Sequence, residues 1–168
     1  IASALQFACE ETGMIHRDIK PGNILFGRGN IAKLSDFGLA AGAHSALGHQ
    51  DEIWGTPYYV SPERLNREEE DARSDIYSLG ATLYHAMAGR APFEADSAEE
   101  VARRHLSDRP VPLRSLCPSA QEQTVFTLDR CLSKSKEHRW QSFTDLQNYL
   151  EDSLRRLPGK DGTSHNQG

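Results

Sequence analysis

Between Met14 and Phe26 the sequence MIHRDIKPGNILF sets His16, Arg17, Asp18, Lys20 and Asn23 between two short apolar runs that look like strands. A carboxylate, an amide and several bases crowded into one connection are groups that can accept protons, offset charge and hold polar ligands. A loop fixed between strands keeps such groups in a geometry that a mobile surface loop does not. Taken alone, Asp18 and Lys20 read as a solvated ion pair on a turn. Their weight depends on what the rest of the chain places around them.

The elements that position this loop follow from periodicity. Residues 1–13, IASALQFACEETG, have helical character with Leu5, Cys9 and Ala8 on one face and Gly13 as a C-terminal stop. Ile24-Leu25-Phe26 and Ile31-Ala32-Lys33-Leu34 flank Gly27-Arg28-Gly29-Asn30, which predicts a β-hairpin. From Gly38 to Tyr59 no period emerges, and a loop of that length inside a domain is more often functional than idle. Ser61-Pro62-Glu63 predicts a short helix, with Ser61 as cap and Pro62 at the first helical position. Asp75 to Gly89 carries Ile76, Leu79, Leu83 and Met87 at helical spacing, while Tyr77, Ala81 and Tyr84 leave little polar face, so this helix is expected to be buried on most sides. Capping boxes are expected at Ser97 with Glu100 and at Ser119 with Glu122. A last helix over about Phe143 to Leu157 presents Leu146, Tyr149, Leu150, Ser153 and Leu157 on one face. No internal repeat is visible.

The totals exclude several classes. A chain of 168 residues with 38% hydrophobic side chains has enough apolar material for one domain with a core. A net charge of −5 lacks the footprint of a nucleic-acid binder. Cys9, Cys117 and Cys131 are odd in number and widely spaced, which predicts buried free thiols rather than a disulfide framework or a zinc knuckle. No apolar run reaches the roughly 20 residues needed to span a bilayer, and there is no signal-peptide pattern. The expectation is a cytoplasmic segment without a membrane span, whose parent chain can carry an anchor elsewhere. The chain starts at Ile1 inside a helical pattern, so a piece of a longer protein is expected, and the polar, Gly-rich residues 158–168 read as a disordered tail or linker.

His16-Arg17-Asp18-Ile19-Lys20-Pro21-Gly22-Asn23 resembles the catalytic loop of protein kinases, H-R-D-x-K-P-x-N. Asp36-Phe37-Gly38, whose aspartate lies eighteen residues after Asp18, is similar to that family's metal-binding D-F-G. Gly55-Thr56-Pro57 and Ser61-Pro62-Glu63 look like the end of the activation segment, and Asp75 and Arg139 match two structural positions. The resemblance implies a kinase-like large C-terminal lobe over residues 1–157, mainly α-helical, with a short β-hairpin carrying the catalytic and metal-binding loops. It also implies transfer of the ATP γ-phosphate to Ser or Thr hydroxyls of protein substrates. Asp18 would orient the hydroxyl and accept its proton, Lys20 would neutralise charge on the moving phosphoryl group, and Asn23 and Asp36 would hold magnesium ions, a hard cation that takes oxygen ligands. Thr56 would position the substrate. Lys20 with Thr56 resembles serine/threonine rather than tyrosine kinases, and GTPYYVSPE and SDIYSLGATLYHAMAGRAPF look like bacterial members of the eukaryotic-type family. Asp75 would hold the backbone of the catalytic loop and Arg139 would pair with Glu63, both structural roles.

In kinases with arginine before the catalytic aspartate, a phosphorylated loop residue commonly docks on that arginine, here Arg17. Ser45 lies early for this, whereas Asp51 and Glu52 fall nearer the expected distance and would supply a standing negative charge. Two other patterns are weaker. Gly27-Arg28-Gly29-Asn30-Ile31-Ala32 fits a dinucleotide fingerprint, but Asp36-Phe37-Gly38 follows too soon for the helix that would receive a pyrophosphate. His44 and His49 have no third metal ligand at matching spacing.

Nothing resembles the family's Gly-rich loop, its strand lysine or that lysine's glutamate partner. The N-terminal lobe of the kinase fold is therefore expected outside these residues, and the isolated segment is expected to bind ATP weakly and phosphorylate little. The competing reading is a pseudokinase-like binding or docking module without phosphotransfer.

Overall fold

Helix α3, Ala72–Ala88, is the element on which the others are assembled. Asp71 caps it by accepting from the Arg73 amide at 2.8 Å, and Gly89 ends it at φ 74°, a left-handed conformation in which a side chain would be strained. Between these ends Ser74, Asp75, Ile76, Tyr77, Ser78, Leu79, Gly80, Ala81 and Thr82 are all buried, so the helix runs through the protein rather than over it. Of the stripe expected at Ile76, Leu79, Leu83 and Met87, only the first two are buried. Leu83 is 39% exposed, because the cover over this side ends before the helix does. The protein is described by a computed structural model over residues 1–37, 41–42 and 57–156.

Around α3 the chain places α1 (Ala2–Thr12), α2 (Pro62–Leu65), α4 (Ala98–Ser107), α5 (Leu113–Leu116), α6 (Glu122–Cys131) and α7 (Phe143–Arg155). Strands are short: β1 (Met14–Ile15) pairs antiparallel with β4 (Ala41–Gly42), and β2 (Ile24–Phe26) pairs with β3 (Ala32–Leu34). The hairpin expected from Ile24 to Leu34 is present in the register Ile24 to Leu34, Leu25 to Lys33 and Phe26 to Ala32. Gly29 turns it at φ 74°. The two strand-like runs around the polar loop do not pair with each other; β1 takes a partner from the stretch read as aperiodic.

Two apolar clusters share α3. Leu5, Ile19, Ile76, Leu79, Cys131, Trp140, Phe143 and Leu146 form one, and Tyr77, Ala81, Tyr84, Leu113, Ala120, Leu128 and Leu132 form the other. Ile19 belongs to the polar loop and is 1% exposed, so the loop is nailed into the core by its own apolar residue. Helix α1 lies against α7 through Leu5 in that cluster and through hydrogen bonds from Gln6 Nε2 to Thr144 Oγ1 at 2.6 Å and from Gln147 Nε2 to Gln6 Oε1 at 2.8 Å. Gly80 is where α6 comes closest: a Cβ there would run into Cβ of Cys131.

Two polar groups deep in this interior are fully paired. Arg139 is fully buried and uses all five of its N–H donors, giving Nη1 and Nη2 to Glu63 at 2.7 and 2.8 Å and the rest to the carbonyls of Arg73, Ser133 and Lys134. Burial alone would raise the Glu63 carboxyl, but the hydrogen bonds and charge of Arg139, with the Ser74 hydroxyl, hold it below the ordinary range. His105 on α4 bridges Tyr77 Oη, 2.8 Å from Nδ1, and the Tyr58 carbonyl, 3.1 Å from Nε2.

Asp75, in the first turn of α3, is 2% exposed and accepts from the backbone amides of His16 at 2.6 Å and Arg17 at 2.9 Å. Burial pushes its carboxyl up to about 6 in spite of these two donors.

Three local expectations are corrected. Ser119 does not cap a helix, because Pro118 and Ser119 lie inside a turn closed by the Ala120 amide on the Cys117 carbonyl, and α6 starts after Gln121. Ser61 occupies the N-cap of α2 but makes no side-chain cap bond. Ser97 caps α4 through the Glu100 amide at 3.1 Å, yet the Glu100 carboxylate turns to Arg103 and Arg104 rather than back to the cap, so only half of the box forms. All three cysteines are free, but only Cys131 is fully buried. The tail expected over 158–168 and the loop histidines His44 and His49 lie outside the described residues.

Two measurements check this account. Gly80→Ala should lower the unfolding free energy by about 1–3 kcal/mol in denaturant titration, through overpacking against α6. Asp75 titrates at about 6 when folded and near 3.9 when unfolded, so its contribution favours the fold below about pH 4 and is lost as pH rises through about 6. Asp75→Asn lacks this term; its stability relative to the wild type should rise by roughly 3 kcal/mol between pH 4 and 7, and a flat difference would contradict the assignment.

Candidate active site

The polar loop runs from β1 through a 3-10 turn at Pro21–Asn23 into β2. Its backbone is held at four successive points. Asp75 takes the amides of His16 and Arg17, Arg64 Nη1 donates to the Arg17 carbonyl at 2.8 Å, the Asp18 amide donates to His16 Nδ1 at 3.3 Å, and Thr82 Oγ1 donates to the Ile19 carbonyl at 3.3 Å. Arg17 sits at φ 68°, a left-handed conformation costly for a residue with a Cβ. A strained residue among five anchoring bonds is a loop fixed in one shape.

That shape brings Asp18, Lys20 and Asn23 together. Lys20 Nζ lies 3.0 and 2.8 Å from the two Asp18 carboxylate oxygens, and Asn23 Nδ2 donates to Asp18 Oδ2 at 2.9 Å and to the Asp18 carbonyl at 2.8 Å. Asn23 is 7% exposed, so its amide is part of the structure and not a surface appendage. The Lys20 and Asp18 side chains are 45% and 24% exposed, so this ion pair faces water and is weak enough to open, of order 1 kcal/mol or less.

The second acidic position comes from β3. The Ser35 amide and hydroxyl both donate to the Asn23 carbonyl, at 2.9 and 3.2 Å, which places the residue after it, Asp36, on backbone adjoining Asn23. Asp36 is itself at φ 64° and exposed. His16 lies beneath, 2% exposed, with its ring 4.6 Å from that of Phe37 in an edge-on contact. Burial pushes the His16 imidazole below its ordinary value and outweighs the Ser35 backbone and the carboxylates of Asp18 and Asp36, which favour the cation. Its Nε2 is nonetheless buried without a well-formed hydrogen bond, so the influence of Ser35 is electrostatic rather than a made bond.

The donor set suits a hard cation better than a soft one. The Asn23 side chain donates through Nδ2 while its Oδ1 accepts no hydrogen bond recorded among the described residues, and Asp36 follows the end of the adjoining strand β3 by two residues. Among the described residues no group of three or more His, Cys, Asp and Glu side chains is arranged to bind a metal. Two oxygen ligands, with the remainder from phosphates and water, is the pattern in which magnesium is held in nucleotide sites.

Of the sequence-derived candidates, Asp18, Lys20 and Asn23 are mutually hydrogen bonded and Asp36 is one residue from a backbone contact with Asn23. Thr56, Ser45, Asp51 and Glu52 lie outside the described residues. Arg17 points elsewhere, with Nε 3.2 Å from Glu70 Oε2. This is a charge contact, since that nitrogen is buried without an aligned hydrogen bond. Glu70 and Arg64 carry no motif. The only sequence signal for Glu70 is the acidic run Glu68-Glu69-Glu70 ahead of α3.

Among the described residues no helix is long and apolar enough to cross a membrane. Comparison with known proteins identifies relatives for nearly the whole chain. A probable serine/threonine-protein kinase of Clostridium acetobutylicum is 36% identical over 156 residues, covering 90% of this chain and 23% of its own length. The serine/threonine-protein kinase PknB of Mycobacterium tuberculosis is 37% identical over 151 residues, covering 85% of this chain and 23% of its own. A probable PknB of Bifidobacterium longum is 32% identical over 161 residues, covering 92% and 23%. The chain thus spans about a quarter of the length of these relatives. The family description "Protein kinase domain" matches residues 1–150, so this chain belongs to the protein kinase family.

Proposed function

We propose that this chain carries the phosphotransfer loop of a serine/threonine protein kinase, the large helical lobe over residues 1–157, and that the complete protein moves the γ-phosphoryl group of ATP to Ser or Thr hydroxyls of protein substrates. The observation that carries this reading is the Asp18 carboxylate held at once by the Lys20 ammonium and the Asn23 amide. A module that only docks partners has no use for that arrangement.

The chemistry follows from the groups. A hydroxyl entering beside Asp18 donates its hydrogen bond to the carboxylate, which aligns the oxygen and takes the proton as the new P–O bond forms and the bond from the γ-phosphorus to the bridging oxygen breaks, releasing ADP. The Asn23 amide restricts the carboxylate to one rotamer, so the base does not have to be found by diffusion. The exposed Lys20–Asp18 pair opens at little cost, and the freed ammonium moves to the phosphoryl oxygens, where negative charge is transferred. Magnesium bound through Asp36 and the Asn23 carbonyl oxygen would supply charge neutralisation at the phosphates. Protein substrates and the Ser/Thr preference are supported by the names of the relatives and by Lys20 two residues after Asp18. Thr56 is the proposed substrate-positioning residue.

In the complete protein with magnesium and ATP, Asp18→Asn should reduce kcat by about 10²–10⁴ while the KM for ATP changes little, since the group acts on the hydroxyl and not on the nucleotide. Radiolabel transfer to a generic Ser/Thr-containing protein is the measurement. A variant within twofold of the wild-type rate would remove Asp18 from the reaction.

A further inference from the structure

Two arginines meet at the peptide that precedes Asp18. Arg64 Nη1 donates to the Arg17 carbonyl at 2.8 Å, and the Arg17 side chain lies alongside. Between them is Glu70, with Oε2 3.2 Å from Arg17 Nε and Oε1 3.9 Å from Arg64 Nη1. The three side chains are 18%, 15% and 13% exposed for Arg17, Arg64 and Glu70, so water screens their charges poorly. Without the carboxylate, two half-buried guanidinium groups would face each other across the peptide that precedes the catalytic aspartate.

We propose that Glu70 is a positioning residue of the catalytic loop: its carboxylate, seated between Arg17 and Arg64, fixes the Arg17–Asp18 peptide from the helical body of the chain, so that basal phosphotransfer does not require a phosphate added to another segment. The inference rests on the kinase reading of Asp18 and extends it to how the loop is set.

Arg17 at φ 68° does not stay in that conformation on its own merits, because the left-handed region strains a residue with a Cβ. Asp75 secures the amide side of Arg17 and Arg64 its carbonyl side. Arg64 in turn needs a reason to aim at that carbonyl, and Glu70 is the anion placed on it. Glu70 therefore acts twice, directly on the Arg17 guanidinium and through Arg64 on the Arg17 carbonyl. It stands one residue before Asp71, the cap of α3, and five before Asp75. The carboxylate that orders the loop side chain and the one that orders the loop backbone thus come from the same rigid helix start, and neither belongs to residues 38–56.

The test uses the full-length protein treated with phosphatase, and compares wild type, Glu70→Gln, Glu70→Asp and, as control, Glu69→Gln, which alters a neighbouring exposed acid. Amide exchange over residues 14–23 and steady-state kinetics are both measured. Glu70→Gln should exchange at the His16 to Asp18 amides about fivefold faster or more, and should lose about tenfold in kcat with the KM for ATP within twofold. Glu70→Asp should fall between it and the wild type. Glu69→Gln should match the wild type, and dephosphorylated wild type should keep at least about half of its kcat. Should Glu70→Gln fail to fold by circular dichroism, Glu70→Asp carries the comparison. Unchanged exchange in the Glu70 variants, or loss of wild-type activity on dephosphorylation as complete as in Glu70→Gln, would overturn the proposal. Exchange reports on the loop whether or not phosphate is transferred. Faster exchange in Glu70→Gln, beside a wild type that transfers no phosphate even before phosphatase treatment, would therefore count against the kinase reading alone.

Discussion

A buried carboxylate in the first turn of the central helix sets the geometry of everything around it. Asp75 cannot leave the interior, because α3 is buried on both sides of it, and it cannot stay there without donors. The amides of His16 and Arg17 are those donors, and no alternative partner is recorded for either amide among the described residues. The arrangement is obligatory in both directions: the carboxylate needs the loop backbone, and two amides of a loop that makes no ladder there need the carboxylate. Its position in the first turn, where the helix dipole favours negative charge, offsets part of the desolvation cost. From this contact the loop is carried forward by Ile19 in the core and Thr82 on its carbonyl, and Asp18 is delivered to Lys20 and Asn23 as a consequence.

A second buried charge pair secures the far side. Glu63 belongs to α2 and Arg139 to the turn before α7, 76 residues apart in sequence, yet both are essentially without solvent contact. Breaking one partner of such a pair costs about 3–5 kcal/mol because the other is left buried and charged. The pair also makes a cation–π contact, with the Arg139 guanidinium 4.8 Å over the Tyr77 ring. Tyr77 is one of the α3 residues that follow Asp75 by two, so the two ionic contacts are tied to the same stretch of helix. One element thus registers the polar loop on one side and the short helix α2 on the other.

Much of this was legible in the sequence because the relevant signals are local or carried by a motif. The hairpin was readable from two apolar runs around Gly27-Arg28-Gly29-Asn30, and α1 and α3 from their spacing and from Gly13 and Gly89. The grouping of Asp18, Lys20 and Asn23 was implied by their motif, and the structure brings the three into hydrogen-bond contact. What the sequence did not disclose depends on long-range geometry. The β1–β4 pair joins two-residue strands 26 positions apart, too short for any alternation to register. The Ser119 capping box failed because a turn at Pro118 competes for the same residues, and the side-chain partners of Arg17 and Arg64 depend on where the α2–α3 connection folds back. Glu70 looks like any solvated acid in a run of three until the fold seats it between two cations.

The bridge from Tyr77 through His105 to Tyr58 has a further consequence. For every polar atom to be used, the ring must be neutral, with Nδ1 accepting from the tyrosine hydroxyl and Nε2–H donating to the carbonyl. Burial first, and then the nearby Lys134 ammonium, depress its basicity to about 3. One tautomer is consequently frozen over the whole physiological range, and a residue type that usually serves as an acidity sensor is here a proton-blind tether between the core and the Tyr58 backbone.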